Sequence, residues 1–517
     1  MSEVVKLPTS WAWARVSDLL SGIETGKSFK CDERPPQHDE VGVVKVSAVS
    51  WGEYREQESK TCLDAERVNA ELYVQPGDFL FSRANTQELV GACVIAGQTK
   101  LRVMLSDKIL RFRFADDGMK PWLLGFLRSA DGRTQIELLA SGNQDSMRNI
   151  GQERIGQIHL PLPPRAEQAR IVAKLEELLS DLDAGVAELK AAQKKLAQYR
   201  QSLLKAAVEG ALTAEWRTQH QPTETGAQLL QRILQERRAR WEARQLAKFA
   251  EQGKTLPKDW QKKYPEPVQP DASGLPQLPQ GWVWATIDQI AQVGTGVTPL
   301  RSKSAYFNEG TIPWVTSGAL NSEAVASATE LVTELALKEC RLELYPVGSL
   351  LVAMYGEGKT RGKCSELRIP ATINQAIAAI VLEPAAQSCK AYLKAFLLDS
   401  YEKMRAQASG GVQPNLNLQI VKAIALPLPP CSEQAEITQL LDGQFDQISQ
   451  QQIAVQVSLQ QSTAQRQNIL RAAFSGQLVP QDPHDEPASA LLERIRAERA
   501  AQGAVKKPRG RKAKEAA

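Results

Sequence analysis

Four blocks of sequence occur twice in this chain and in the same order, and that duplication constrains the fold more than any other feature. Leu7-Pro8-Thr9-Ser10-Trp11-Ala12-Trp13-Ala14 returns as Leu278-Pro279-Gln280-Gly281-Trp282-Val283-Trp284-Ala285. Leu160-Pro161-Leu162-Pro163-Pro164, followed by Glu167-Gln168-Ala169, returns as Leu426-Pro427-Leu428-Pro429-Pro430, followed by Glu433-Gln434-Ala435. Gln201 to Leu212 (QSLLKAAVEGAL) matches Gln467 to Leu478 (QNILRAAFSGQL), and Leu229-Leu230-Gln231-Arg232-Ile233 matches Leu491-Leu492-Glu493-Arg494-Ile495. Each repeat therefore reads as a globular domain, an LPLPP segment, a long helix and a shorter amphipathic helix.

Proline fixes φ and removes a donor, so LPLPP is expected to be extended, with a helix starting just after it. In the first repeat Ile171, Leu175, Leu178, Leu182, Val186, Leu189, Leu196, Leu203 and Ala207 recur at spacings of three, four and seven. Ile437, Leu441, Ile448, Val455, Leu459, Ile469 and Ala473 do so in the second. Both are coiled-coil-like seams. The stretches before them are irregular. Val41–Val46, Asp78–Phe81, Ser349–Ala353 and Ala376–Leu382 read as strands, and Pro121–Leu127 and Tyr392–Arg405 as helices. The fold class is α+β, with two repeated domains separated by two long helices that form an antiparallel coiled coil with pseudo-twofold symmetry. The expected boundaries are 1–160 and 278–426 for the domains and 161–217 and 427–482 for the long helices. Residues 218–277 form an amphipathic helix and a Lys/Pro-rich linker, and 483–517 a second such helix and a basic disordered tail.

At 517 residues the chain exceeds what one core serves. No run of about 18 apolar residues exists, so a membrane helix is not expected. The first residues lack the apolar core of a signal peptide, and cytoplasmic residence is expected. Seven scattered cysteines without a CxxC pair, and four isolated histidines, argue against a disulfide framework or a metal site. The net charge of +4 is concentrated outside the domains. Ten Lys/Arg against five Asp/Glu lie between Gly226 and Pro267, and six basic residues without an acid fill Lys506–Lys514. Charge alone does not point to nucleic acid. Architecture leaves two readings open: a DNA reader with a head at each end of a helical spacer, or a non-catalytic coiled-coil adaptor whose two domains bind proteins.

Pro76-Gly77-Asp78-Phe79-Leu80-Phe81-Ser82-Arg83, Ala140-Ser141-Gly142 and LPLPP-x-x-EQA, the last two present in both halves, resemble the specificity subunit of type I restriction–modification systems. Gly294-Thr295-Gly296-Val297-Thr298-Pro299, Ile312-Pro313-Trp314-Val315 and Met354-Tyr355-Gly356 with Thr372-Ile373-Asn374-Gln375-Ala376 add to the likeness. The resemblance implies two target recognition domains that each read half of a split double-stranded DNA sequence. It implies helices that set the gap and dock two methyltransferase subunits, with restriction/motor subunits joining through them in phage defence. S-adenosylmethionine, ATP and Mg would then sit on those partners and no cofactor on this chain. The family's domains vary, so no DNA sequence carries over.

Candidate DNA contacts lie on loops rich in Arg, Lys, Asn and Gly. Lys27, Ser28 and Lys30, with Thr298, Arg301 and Lys303 in the second domain, follow an early Gly-bearing turn and suit phosphates, or a solvated loop. Arg83, Asn85 and Thr86 suit base edges, or ordinary surface chemistry. Tyr355, Lys359, Arg361 and Lys363 lie in a Gly-rich stretch, Ala353 to Lys363, that nearly spells a phosphate-binding P-loop. The residues after it read as turn and strand rather than helix, so DNA contact or a tight turn with solvated charges fits better. Asn143, Gln144 and Arg148, with Gln413 and Asn415, read as turn or capping residues. Trp11, Trp13, Trp282 and Trp284 read as packing residues. No N/D-P-P-Y methyltransferase motif is present, and Pro270-Asp271 lacks the E-x-K of a nuclease, so the chain is read as non-catalytic, without catalytic or metal-binding residues.

Overall fold

The computed structural model describes residues 7–50, 52–142, 147–255, 257–271, 273–355, 360–401, 404–405 and 416–505. Two compact units share the chain. One gathers the residues up to Lys190 with those from Gln456 onward, and the other runs from Ala191 to Val455. The compact units and the sequence repeats therefore do not coincide, because each long helix contributes residues to both units.

In the first unit a four-stranded antiparallel sheet runs in the order Leu20–Thr25, Ile109–Phe114, Phe79–Ser82, Cys93–Ile95. A three-stranded sheet orders Ser59–Thr61, Val41–Val44 and Arg102–Met104. The second unit repeats the scheme, with Ala291–Thr295, Ile377–Leu382, Leu350–Ala353 and Cys364–Leu367 as consecutive strands and Ala324–Val325 at the edge. The expected strands thus form, and so do the helices Lys120–Arg128 and Lys390–Asp399. Phe79, Leu80 and Phe81, buried on both faces like Leu350 to Ala353, explain why these central strands read as unbroken apolar runs.

LPLPP is extended as expected. His159–Leu162 pairs antiparallel with Ala12–Arg15, and Ala425–Leu428 with Val283–Thr286. The long helices follow, α1 at Arg165–Val208 and α3 at Cys431–Phe474. At 44 residues each, they are roughly 66 Å long. The shorter helices are α2 at Gly226–Glu251 and α4 at Ala488–Val505.

Within each unit the two long helices run antiparallel. In the first, Asp183 pairs with Arg466 while Arg170, nearer the start of α1, pairs with Asp485 beyond the end of α3. In the second, the Tyr199 hydroxyl donates to Gln444 at 3.1 Å, and Thr213 reaches back to Glu433 at 2.7 Å. The seam is fully buried at Ile171, Leu175, Leu203 and Ala207, toward the ends of α1, and at Ile437, Leu441, Ile448 and Ala473 on α3, of which Ile448 lies near the middle. Leu182, Val186, Leu189 and Leu196, and Val455 and Leu459, are half-buried.

The repeated blocks meet at one clasp in each unit. The Trp11 indole donates to Glu167 at 3.1 Å, and Trp282 to Glu433 at 2.8 Å. Gln168 and Gln434 donate to the carbonyls of Pro163 and Pro429, satisfying buried acceptors at the end of LPLPP. The shorter helices close the clasp with matching bonds. Ala488 N donates to Ser10 O at 2.9 Å in the first unit, and Gly226 N to Gly281 O at 2.7 Å in the second. Ala488, Leu491, Leu492 and Ile495 of α4 join the first unit's core, as Leu229, Leu230 and Ile233 of α2 join the second's.

The packing role assigned to the tryptophans holds for Trp11 and Trp282 and is corrected for Trp13. Strand side chains alternate between faces, and Trp13 points outward, 53% exposed. Trp284 is covered by the linker and donates to Pro276 O at 3.2 Å. That linker is structured: Trp260 stacks on Trp241, Tyr264 packs edge-on to it, and Val268 N donates to Asp288 at 3.0 Å. All seven cysteines are free thiols. No helix among the described residues is long and apolar enough to cross a membrane.

Candidate nucleic-acid interface

One backbone frame recurs at the same edge of both domains. In the first, the chain leaves the strand Leu20–Thr25 and crosses the Leu105–Ser106 backbone so closely that Gly26 N donates to Ser106 O at 3.1 Å. A Cβ on Gly26 would lie 1.8 Å from the Leu105 carbonyl oxygen, so only glycine fits. Gly296 makes the same crossing, where a Cβ would lie 1.5 Å from Ile373 O. The crossing delivers Ser28 to Asp107 and Thr298 to Gln375, each hydroxyl bonded to the facing side chain. The next residues, Lys108 and Ala376, accept backbone bonds from Arg83 N at 2.9 Å and Met354 N at 2.8 Å. The Gly-bearing turn, the strand end and the central strand thus form one rim in each domain.

On the first rim Lys27 and Lys30 are exposed, and neither ammonium has a partner among the described residues. Arg83 Nε donates to Asn149 Oδ1 at 3.4 Å. A two-residue ribbon, Ala84–Asn85 against Arg148–Asn149, carries these side chains. Asn85 Oδ1 accepts from Thr86 N at 2.9 Å, which is a turn role, and Thr86 O caps the following turn by accepting from Leu89 and Val90. Arg148 folds back onto the carbonyls of Gly142 and Ala140, in keeping with its reading as a turn residue.

The second rim is wired differently. Arg301 forms a two-point ion pair with Glu330 and lies over the Trp314 ring at 4.9 Å. Lys303 Nζ donates to Glu339 at 2.6 Å and to the Tyr306 hydroxyl at 3.1 Å, that hydroxyl donates to Glu339 at 2.6 Å, and the bonds from Lys303 and Tyr306 hold the Glu339 carboxyl below its ordinary range. Both cations are therefore matched within the domain. Tyr355 is half-buried against the core. Lys363 Nζ donates to Asn321 Oδ1 at 2.9 Å, while Arg361 is half-buried with an Nε that has no partner among the described residues. Thr360–Lys363 is a turn leading into the strand Cys364–Leu367, the turn and strand that the sequence after Thr360 predicts. Lys359 lies outside the described residues, as do Asn143, Gln144, Gln413, Asn415 and the Lys506–Lys514 run.

Asp107, Lys108, Asn149 and Asn321 were not singled out by sequence, because their place on the rim depends on strand pairing. Only Gln375 carried a signal, as part of the Thr372–Ala376 block. Beneath the first rim lies Arg111, 1% exposed, with Nη1 bonded to Asp78 at 2.9 Å and to Tyr73 O at 2.8 Å. Its Nε donates to Glu24 at 2.7 Å. Burial pushes the Glu24 carboxyl up, yet the bonds from Arg113 and Arg111 hold it below its ordinary range.

Residues 279–457, the second domain and the start of its long helix, match the family model of the type I restriction modification DNA specificity domain. Along most of its length the chain is similar to type I restriction–modification specificity subunits. The chain is 31% identical over 205 residues to the Escherichia coli type I restriction enzyme EcoEI specificity subunit, a match that covers 39% of this chain and 34% of that one. It is 23% identical over 513 residues to the Escherichia coli EcoBI specificity subunit, covering 96% and 94% of the two chains. A chain from a solved type I restriction–modification assembly shares the fold, with a TM-score of 0.62 and 17% identity over 92% of this chain and all of that one.

Proposed function

We propose that this chain is the DNA-reading, non-catalytic subunit of a restriction–modification complex, with each domain reading one half of a split double-stranded target. The observation that carries this reading is the duplicated rim. A matching backbone crossing at Gly26 and Gly296 carries Lys108 and Arg83 on the rim of one domain, where the other has the buried Ala376 and Met354. A frame that is kept while its exposed chemistry changes suits two readers of unlike half-sequences. The long helices supply the spacer, and their half-buried middle stretches offer a surface for two methyltransferase subunits, through which restriction/motor subunits would join. S-adenosylmethionine, ATP and Mg would be held by those partners.

Affinity for duplex DNA comes largely from phosphate neutralisation. Arg301 and Lys303 are paired internally, so the second rim offers few free cations. The methyltransferase subunits would complete the grip. Gel-shift titrations of the chain alone and with its methyltransferase partner test this, with tight, sequence-specific binding expected only for the complex. Equally tight specific binding by the isolated chain would refute the shared grip. Mapping methylated adenines in the host genome with and without the gene would show whether a split sequence is marked at all.

A further inference from the structure

Three arginines converge on the ribbon at the edge of the first domain, and two of them are engaged in holding it together. Arg133 Nη1 and Nη2 donate to the carbonyls of Val90 and Gln87, fixing the turn after Thr86. Arg148 holds the turn at Ala140 and Gly142. Arg83 differs. Its side-chain bond among the described residues is from Nε to Asn149 Oδ1, and neither terminal nitrogen has a partner among those residues.

The backbone beneath it is pinned on both sides. Arg83 N donates to Lys108 O, and Arg83 O accepts from Ile150 N, each at 2.9 Å. Ser82 and Ala84, its neighbours, are buried. Asn149 is fixed in turn by reciprocal 2.8 Å backbone bonds with Ser141. A guanidinium tied at Nε to a fixed acceptor presents its two terminal nitrogens as a fork, the arrangement that pairs with O6 and N7 of guanine. A phosphate contact needs charge but not this orientation.

We propose that Arg83 reads a guanine in the half-site faced by the first domain, with Asn149 as the positioning residue that holds the fork. The assignment rests on the DNA-reading function proposed above. In the second domain the matching backbone position is Met354, whose side chain is buried, so no fork is presented from that position.

The test uses the full chain copurified with its methyltransferase partner and a pool of duplexes randomised across both half-sites, with bound sequences read out. Arg83→Ala and Arg83→Lys are each expected to reduce discrimination at a single guanine position by roughly ten- to a hundredfold, leaving the other half-site unchanged. Asn149→Ala should weaken preference at that same position, and the double variant should lose nothing further, since the two residues act as one unit. Uniform weakening across all sequences by Arg83→Ala, with rescue by Arg83→Lys, would identify a phosphate contact and overturn the assignment. Loss of preference at a different position in Asn149→Ala would overturn the positioning role. A wild-type complex that selects no split sequence would instead overturn the DNA-reading function itself.

Discussion

Glu167 and Glu433 occupy matching places in the repeated LPLPP-x-x-EQA block, and both accept an indole N–H while nearly fully buried. Their second partners differ. Glu433 is met by Arg217 at 2.7 Å, whereas Glu167 is met by the neutral amide of Gln481 at 2.6 Å. Burial accordingly pushes the Glu167 carboxyl above its ordinary range, further than the bonds from Trp11 and Gln481 bring it down. The folded state then holds a proton that the unfolded chain has already released. Stability therefore falls as pH rises from the ordinary carboxylate range through Glu167's raised value. Glu167→Gln is expected to remove that component, which would show as a gap between wild-type and variant melting curves that changes as pH rises above the ordinary carboxylate range. Glu433→Gln should instead destabilise by about 2–3 kcal/mol near neutral pH, because Arg217 loses its charged acceptor. Equal responses from the two variants would contradict this account.

At the scale of elements, α4 is attached to the second repeat by sequence and to the first domain by packing. Truncation before Asp482 removes Asp485 from Arg170 and takes Ala488, Leu491, Leu492 and Ile495 out of the first unit's core. Each buried Leu or Ile is worth about 1.5–3 kcal/mol. The expected outcome is faster amide exchange and proteolysis in residues 7–190, with the domain at 278–426 protected as before. Loss of protection in the second domain instead would show that α4 belongs with its own repeat. The turn glycines give a second test. Gly296→Ala forces the turn off the Ile373 carbonyl and should abolish selection of the second half-site while leaving the first intact.

For the whole molecule, replacing residues 278–426 with the corresponding domain of a type I specificity subunit should, on the proposed function, change one half of the selected DNA sequence and leave the other half and the gap unaltered. A chimera with unchanged DNA preference, or with none, would favour the protein-adaptor alternative. The net charge of +4 hides an uneven distribution, with cations gathered in the α2–linker segment and the tail. The specific part of binding should therefore depend on the methyltransferase partner, and deleting Lys506–Lys514 should reduce only the salt-sensitive, non-specific part.

The sequence by itself determined the doubling, the extended LPLPP segments, the long helices and their seams, and the central strands. Each of these follows from a local period, or from residues such as proline and glycine that act on their own backbone. It also singled out Arg83, Ser28 and Thr298 as loop candidates, although in the fold Arg83 and Thr298 are half-buried and Arg83 lies between two strands. Tertiary structure alone decided which cations are free and which are paired, because Glu330, Glu339 and Asn321 reach Arg301, Lys303 and Lys363 from segments far along the chain. It alone brought Asn149 to Arg83 across 66 residues. It also decided that each compact unit takes its closing helix from the other repeat. The repeat pattern records which residues make the clasp. Which copy supplies them depends on where antiparallel helices of equal length begin and end, and that is a property of packing rather than of sequence order.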